Sequence, residues 1–273
     1  MARKKIYGRV ARVVVGTVDV SDLRVTFNVT RSSKKSQNTA NIAVYNLSRD
    51  RINEIRQAKV GTRVSLQAGY KPPIGTSQIF LGELRTANVE RQGADLVMSM
   101  ESGDGDKAIK GARLSKSFVP GTRVSDVLSQ LVSSTDLGAG NLIKLVDPSE
   151  RVQGTGLTVQ GSSVESLDKL LKPRGIAFSI QDGIIQASRD GAPISRTIIQ
   201  VNSDTGLIGS PSRGADGIVK VTVPILPDIT IGRVIRVDAE FVRGDYVITR
   251  TDVVGDTAGG EWRISIEGKP YKP

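Results

Sequence analysis

Residues 40–47 have the sequence ANIAVYNL, in which Ile42 and Val44 alternate with small or polar side chains, and Ser48 follows soon after. A two-residue period is the pattern of a strand with one buried face. Serine is a favoured helix N-cap, and two isoleucines follow Ser48 at helical spacing. The stretch therefore predicts a strand that passes directly into a short helix.

Strands are predicted on both sides of this segment. Residues 7–30 place most apolar side chains at alternating positions, with a break within residues 18–22. Residues 31–39 contain no apolar side chain, so we expect an exposed loop there. Further strands are predicted at residues 63–70, 77–83 and 95–102, separated by proline and glycine turns. The first 105 residues are therefore expected to form a compact β-domain with one short helix.

From Gly121 the apolar period changes to that of a helix. Ser162 and Glu165 have the spacing of a capping box, which predicts a second helix. Asp182 and Gly183 stand between two apolar runs, the signature of a β-hairpin. This part of the chain is therefore predicted to be a small α/β unit. The stripe of its first helix consists of Val124, Val127, Leu128, Leu131 and Val132.

The last part of the chain returns to the pattern of strands and is predicted to form a small closed or half-closed barrel. Phe241 and Trp262 lie in its apolar alternation, so both are predicted to be core residues. The predicted strands are residues 218–223, 234–241, 245–254 and 261–267. We expect a mainly β fold with a small α/β insert: an N-terminal β-barrel domain with one short helix at residues 1–115, the insert domain at 116–200 and a C-terminal β-barrel domain at 201–273.

The composition excludes several classes of enzyme, because the 273 residues include no cysteine and no histidine. Disulfides, Cys/His zinc sites, thiol nucleophiles and imidazole triads are therefore impossible. Paired carboxylates or a Ser–Lys dyad remain open as catalytic groups. No apolar run approaches the roughly 18 residues of a membrane span, so we expect no membrane insertion and synthesis in the cytoplasm.

The net charge of +10 is concentrated near the N-terminus. Residues 1–35 contain nine basic and two acidic residues, a net +7. This excess predicts contact with a polyanion or with an acidic neighbouring subunit; the alternative is a solvated tail and loop. The candidate subunit or tube contact loop comprises Arg31, Lys34 and Lys35.

One acidic pair, Asp104 and Asp106, lies in a tight glycine-containing turn. A calcium loop would need further oxygen ligands and an acidic residue at its far end, where this chain has Ala112. We therefore expect a strand-end turn and no metal site. Residues 154–156 lack both the dinucleotide fingerprint and the end of a P-loop, so we expect no cofactor.

Catalysis by carboxylates or by a Ser–Lys dyad has little support in the sequence. A glycosidase needs two carboxylates across a cleft, and the candidates Glu83, Glu101 and Glu165 lack an apolar, aromatic context. The pair Ser115-Lys116 lies in a polar segment, where nothing would lower the pKa of the lysine. We predict no catalytic residues.

Several segments, taken together and in order, resemble the baseplate hub proteins of contractile-tailed phages. The first is residues 38–48, the predicted passage from strand to helix, and the turn at residues 103–105 resembles the end of the family's first domain. The other segments are residues 69–70, 78–82, 118–122, 206–211, 216–218, 232–235 and 259–262. They are distributed over most of the chain, and their consistent order carries more weight than any one of them.

The resemblance implies a structural role without catalytic residues. It implies a homotrimer with two tube-like β-barrels per subunit, which joins the sixfold tail tube to the threefold central spike in the virion tail baseplate. The implied partners are the tail tube protein, the central spike, other baseplate proteins and the tape measure protein, while genome DNA passes through the channel without specific binding. The alternatives are a distal tail protein, a tail-tip cell-wall hydrolase and a basic OB-like nucleic-acid-binding protein.

Overall fold

The computed structural model describes residues 7–34, 37–189, 192–195 and 197–271, and within them thirteen strands form one large sheet. Two further pairs of strands belong to the middle of the chain. The prediction of a mainly β fold with an α/β insert is confirmed. In the described part of the chain the large sheet is not closed into a barrel.

The N-terminal segment carries the predicted passage from strand to helix. Ser48 caps the helix: its hydroxyl oxygen accepts a hydrogen bond from the backbone N–H of Arg51 at 3.4 Å. Ile52 and Ile55 of the helix are buried, so this prediction is confirmed. The elements are β1 (Arg9–Val15), β2 (Val18–Asp19), β3 (Val25–Ser32), β4 (Thr39–Tyr45), α1 (Arg49–Gln57), β5 (Arg63–Tyr70), β6 (Thr76–Gln92) and β7 (Asp95–Gly103).

The middle segment is the α/β insert. All five residues of the predicted helical stripe are buried, and Ser162 caps the second long helix. The hairpin turn has Asp182 at φ 55° and Gly183 at φ 76°, both in the left-handed region that a type I′ turn requires. The elements are α2 (Asp106–Gly111), β8 (Arg113–Phe118), α3 (Val124–Ser133), β9 (Leu157–Ser162), α4 (Ser163–Leu171), β10 (Ile176–Gln181) and β11 (Ile184–Arg189), with short 3-10 turns at Leu142–Leu145 and Lys172–Arg174.

In the C-terminal segment, one of the two predicted core aromatics is buried and the other is not. Trp262 packs edge-on against Phe27 and Tyr70, with ring centroids 5.5 and 6.4 Å away. Phe241 is 82% exposed, so its prediction was wrong: the strand ends earlier, and Val242 takes the buried position. The elements are β12 (Ile198–Val201), β13 (Ile208–Arg213), β14 (Val219–Pro224), β15 (Val234–Asp238), β16 (Arg243–Asp256) and β17 (Trp262–Pro270).

The N-terminal and C-terminal segments share one sheet because β3 pairs antiparallel with β16. The order along the sheet is β13-β14-β17-β16-β3-β4-β7-β6-β5-β1-β2, with β15 also pairing with β16 and β12 with β15. Side chains of both segments form one apolar core, and the insert has a second core of its own between Phe118 and Ala187.

The separate core of the insert leads to a local prediction. Leu128 of α3 is fully buried there, so Leu128→Ala should cost about 3 kcal/mol of stability. Because the cores are distinct, we expect amide exchange to accelerate in β10, β11 and α4 while protection in β3 and β16 remains. Ser129→Ala, on the exposed side of α3, is the matched control and should change little. Equal loss of protection in both cores would contradict this prediction.

Candidate functional surfaces

One surface of the large sheet is polar across strands of both outer segments. Alternation along each strand sends one set of side chains into the core and the other to this surface. The cross-strand registers align them in rows, and Asn28 lies directly opposite Asn41. We call this surface the polar face; its longest row consists of Pro224, Arg263, Val254, Asn28, Asn41, Glu101 and Thr86, and a second contains Thr222, Ser265, Asp252, Thr30 and Thr39.

The next row along the same strands faces the opposite way and is apolar. Val223, Ile264 and Val253 lie side by side on the C-terminal strands, and Val29 and Ala40 continue the row on β3 and β4. All five are buried. A one-residue slip in register would exchange the two faces. Burial of this apolar row therefore determines the register, and with it the outward orientation of the polar face.

The polar face is bent into a shallow depression of about 610 Å³. Its lining includes Asn28, Asn41, Asn88 and Ser99. An irregularity in β6 between Leu84 and Thr86 interrupts the ladder next to it, and another lies further along β16, before Arg250. Such bulges bend a strand, which accounts for the curvature.

Several basic side chains on the polar face have acidic partners. Arg250 pairs with Asp252 at 2.9 Å, and Lys220 with Glu267 at 3.6 Å. Burial acts to raise the pKa of Asp252, but hydrogen bonds from Arg250 and Thr30 outweigh it, so the pKa is lowered and the carboxylate stays charged. The face thus presents amides, hydroxyls and paired charges.

On the other side of β3, a set of polar side chains, all buried except the half-buried Asp182, joins the sheet to the insert. The guanidinium of Arg31 donates to the Asp182 carboxylate at 2.7 Å, to Gln181 Oε1 at 3.2 Å and to the carbonyl of Ile79 at 3.2 Å. The Asn38 amide donates to the carbonyl of Ile180 at 2.8 Å and to Gln181 Oε1 at 3.0 Å. We call Arg31, Asn38, Asp104, Gln181 and Asp182 the polar junction.

Asp104 holds the hairpin turn from the side of the sheet. Its carboxylate accepts the backbone N–H groups of Asp182 at 2.7 Å and Gly183 at 2.9 Å. Burial raises the pKa of Asp104 to about 6, although these hydrogen bonds favour the charged form. Burial also raises the pKa of Asp182, against the attraction of Arg31. The polar junction therefore contains two acidic groups, of which only Asp182 is paired with the Arg31 guanidinium.

The structure separates the candidate acidic pair. Asp104 faces the hairpin, whereas Asp106 begins α2 and pairs with Arg85 at 2.8 Å and Lys110 at 3.0 Å. Burial acts to raise the pKa of Asp106, but these cations and Gln37 lower it to about 2. No group of three possible metal-ligating side chains occurs within the ranges that the structure describes.

The three candidate catalytic carboxylates occupy different settings. Glu83 accepts the backbone N–H of Asp106 at 2.8 Å, and Glu101 pairs with Arg85 at 3.1 Å. Glu165 lies in the first turn of α4, where its N–H donates to Ser162.

The predicted exposed loop is partly wrong. Arg31 and Ser32 continue β3 and are buried, and Asn38 is buried beside them. Arg31 is buried because the acidic and amide groups of the hairpin match its donors. Of the candidate contact loop, Lys34 is exposed and Lys35 lies outside the described residues.

The roles of Asn38 and Gln181 could not be predicted, since the bonds that join the sheet to the hairpin through them connect residues more than 140 positions apart. The sequence did contain an indication that Arg31 is buried. It occupies the next inward position after Val25, Phe27 and Val29, so its phase along β3 predicts burial even though its charge does not.

Comparison with known protein families identifies the class of protein to which this sheet and its insert belong. The family described as baseplate hub gp41 matches residues 10–253, and the chain belongs to this family. The expected resemblance to baseplate hub proteins is thereby confirmed. No curated protein sequence matches the chain significantly.

Solved structures of tail proteins share the fold. The 43 kDa tail protein of prophage MuSo2 from Shewanella oneidensis is similar with a TM-score of 0.67 at 11% identity, over 96% of this chain and 98% of that one. A tail protein from Neisseria meningitidis gives 0.65 at 10% identity, over 96% and 97%. An E. coli component of the type VI secretion system, described as similar to the phage T4 tail proteins gp27 and gp5, gives 0.62 at 9% identity, over 95% and 77%.

Proposed function

We propose that this chain is a structural hub subunit, three copies of which form a ring between the sixfold tail tube and the threefold central spike. The observation that carries the proposal is the continuity of the polar face from the N-terminal to the C-terminal segment through the β3–β16 pair. Residues 1–115 and 201–273 act as two tube-like β units whose open sheet is completed in the ring, and residues 116–200 act as the insert. Three subunits then supply six units around the axis, which matches a sixfold tube.

The polar face lines the channel of this ring. Its paired charges and neutral amides support passage of the genome without specific binding, because DNA affinity comes mainly from unpaired basic side chains. The edge strands β13 and β2 at the ends of the sheet order are completed by neighbouring subunits, which removes exposed edges.

The chain works in the tail baseplate of the virion and is not an enzyme. Its partners are the tail tube protein, the spike, other baseplate proteins and the tape measure protein. Among the described residues no helix is long and apolar enough to cross a membrane.

The mass of the purified protein tests the ring. Light scattering after size exclusion should give about 88 kDa, three times the 29.2 kDa of one chain. A monomer that persists when the spike protein is added would contradict the threefold ring.

Lys34 and Lys35 are proposed as contacts to a neighbouring subunit or to the tube. Replacing both with alanine should lower the trimer fraction at a given concentration while the melting temperature stays unchanged, since Lys34 is exposed. Lys172→Ala, which removes an exposed charge from the insert, is the control. An undiminished trimer in the double variant would remove these two lysines from the interface.

A further inference from the structure

The insert is attached to the sheet mainly through polar groups. The apolar core of the sheet draws its residues from Ala11–Met100 and Val201–Ile266, whereas the core of the insert lies between Phe118 and Ala187, and the two have no member in common. A shared apolar core would hold the two parts rigidly, because packed interiors do not deform continuously. Here their orientation depends on hydrogen bonds that water can replace.

At the entry to the insert the contacts fall into two groups on either side of Gly105, while at its exit the Ile194 N–H donates to the Gly232 carbonyl at 2.8 Å. On one side, the start of α2 is fixed to β6: Arg85 binds the Asp106 carboxylate at 2.8 Å, and Glu83 accepts the Asp106 N–H at 2.8 Å. On the other, the hairpin turn between β10 and β11 is held by the polar junction. Gly105 itself has φ 70°, and an added Cβ would lie 2.8 Å from the Ile180 side chain. A side chain at this position would be strained by the left-handed φ, so glycine is favoured here, and its backbone is also the easiest to rotate.

The charge at the hairpin side is unbalanced. Asp104 and Asp182 are both acidic and lie close together, since Asp104 accepts the Asp182 N–H at 2.7 Å. Among the described residues, Arg31 is the cation bonded to the turn, and it contacts Asp182 and not Asp104. With both carboxylates ionised, the polar junction buries a net negative charge, which is costly. Moving the turn into water would relieve this cost.

We propose that the polar junction is a latch: it holds the hairpin turn of the insert against β3, and its release lets the insert rotate as a rigid unit about the start of α2. The hydrogen bonds from Asn38 and Arg31 define the closed orientation. The second core keeps the insert folded when the latch opens. The hinge is independent of whether the chain forms a ring.

The latch should respond to pH, with a sign set by Asp104. Burial raises its pKa in the closed form from the ordinary 3.8 to about 6, so the closed form binds the proton more tightly than the open form. Closure is therefore favoured at low pH and weakened as the pH rises through this window. The pKa of Asp182 is also raised. The pKa of Asp106 is lowered, so this group titrates below pH 4, outside the window. The pKa of Glu83 is raised, but Glu83 binds the start of α2, about which the insert rotates, and not the hairpin turn.

Distances between paired spin labels test the hinge directly. Because the native chain has no cysteine, only the introduced cysteines are labelled. One pair, Arg91→Cys on β6 and Asp126→Cys on α3, spans the junction; a second, Asp126→Cys and Lys172→Cys, lies within the insert, and all three positions are exposed. From pH 5 to pH 8 the ratio of open to closed forms across the junction should rise about tenfold, if release restores the ordinary pKa of Asp104. The distance within the insert should stay single and narrow.

Two variants decide the outcome. Asp104→Asn should remove most of the pH dependence, and the double variant Arg31→Met with Asp182→Asn should raise the open fraction at every pH. One narrow distance across the junction in all variants and at all pH values would overturn the latch. Broadening of the distance within the insert would overturn it as well, because the insert would then unfold instead of rotating. If the double variant fails to fold, the pH series on the otherwise native chain and on Asp104→Asn still decides.

Discussion

Arg31→Met is expected to lower the free energy of unfolding by about 3 kcal/mol, because it leaves the Asp182 carboxylate at the polar junction without its cation. This is the lower end of the range for a broken buried ion pair, since 26% of the Asp182 side chain stays exposed while only 8% of the Arg31 side chain does. Gln181 and the Ile79 carbonyl lose a donor in the same step. Urea unfolding at pH 7.5 measures the loss.

The control is an exposed ion pair of similar geometry. Lys107 and Asp136 lie 2.9 Å apart with 72% of each side chain exposed, so Lys107→Met should change stability little. Adding Asp182→Asn to Arg31→Met should recover part of the loss, because it removes the unpaired charge. If Arg31→Met costs no more than Lys107→Met, the polar junction does not hold the insert.

Trp262→Ala should destabilise the large sheet by about 3–5 kcal/mol. Trp262 lies on β17 of the C-terminal segment, yet its ring packs on Phe27 of β3 and Tyr70 of β5. The guanidinium of Arg9 lies over the same ring at 5.6 Å. The substitution therefore opens a cavity between the two outer segments, and both should lose amide protection together.

Trp262→Phe is the matched variant for this prediction. It keeps an aromatic ring and removes the indole N–H, which has no hydrogen-bond partner in the described part of the protein. We expect it to cost much less than alanine. Loss of protection confined to β14, β16 and β17 in Trp262→Ala would show that the outer segments do not share one core.

Much of the fold could be predicted because local periods determine it. The alternation in β4, the cap at Ser48, the stripe of α3 and the turn at Asp182-Gly183 are each encoded within a few residues. The second half of β6 was missed for a physical reason. Even-numbered residues such as Gly82 and Leu84 face inward before the bulge at Arg85, and odd-numbered residues such as Ala87 and Val89 face inward after it. The bulge therefore interrupts the apolar alternation in the sequence.

The pairing of β3 with β16 could not be predicted, because it joins residues more than 200 positions apart. The local sequence of a strand does not indicate which distant strand it pairs with. The same holds for the polar junction, whose members come from β3, the β7–α2 turn and the β10–β11 hairpin. Phe241 failed as a core prediction because an aromatic side chain near the end of a strand does not indicate where the strand stops.

The most direct test of the hub proposal is a cryo-electron microscopy reconstruction of the tail tip that contains this chain. We expect three copies around the axis, with Asn28, Asn41 and Ser265 of the polar face toward the channel and α1 on the outside. A map in which the polar face points away from the channel, or in which the copies around the axis are not three, would contradict it.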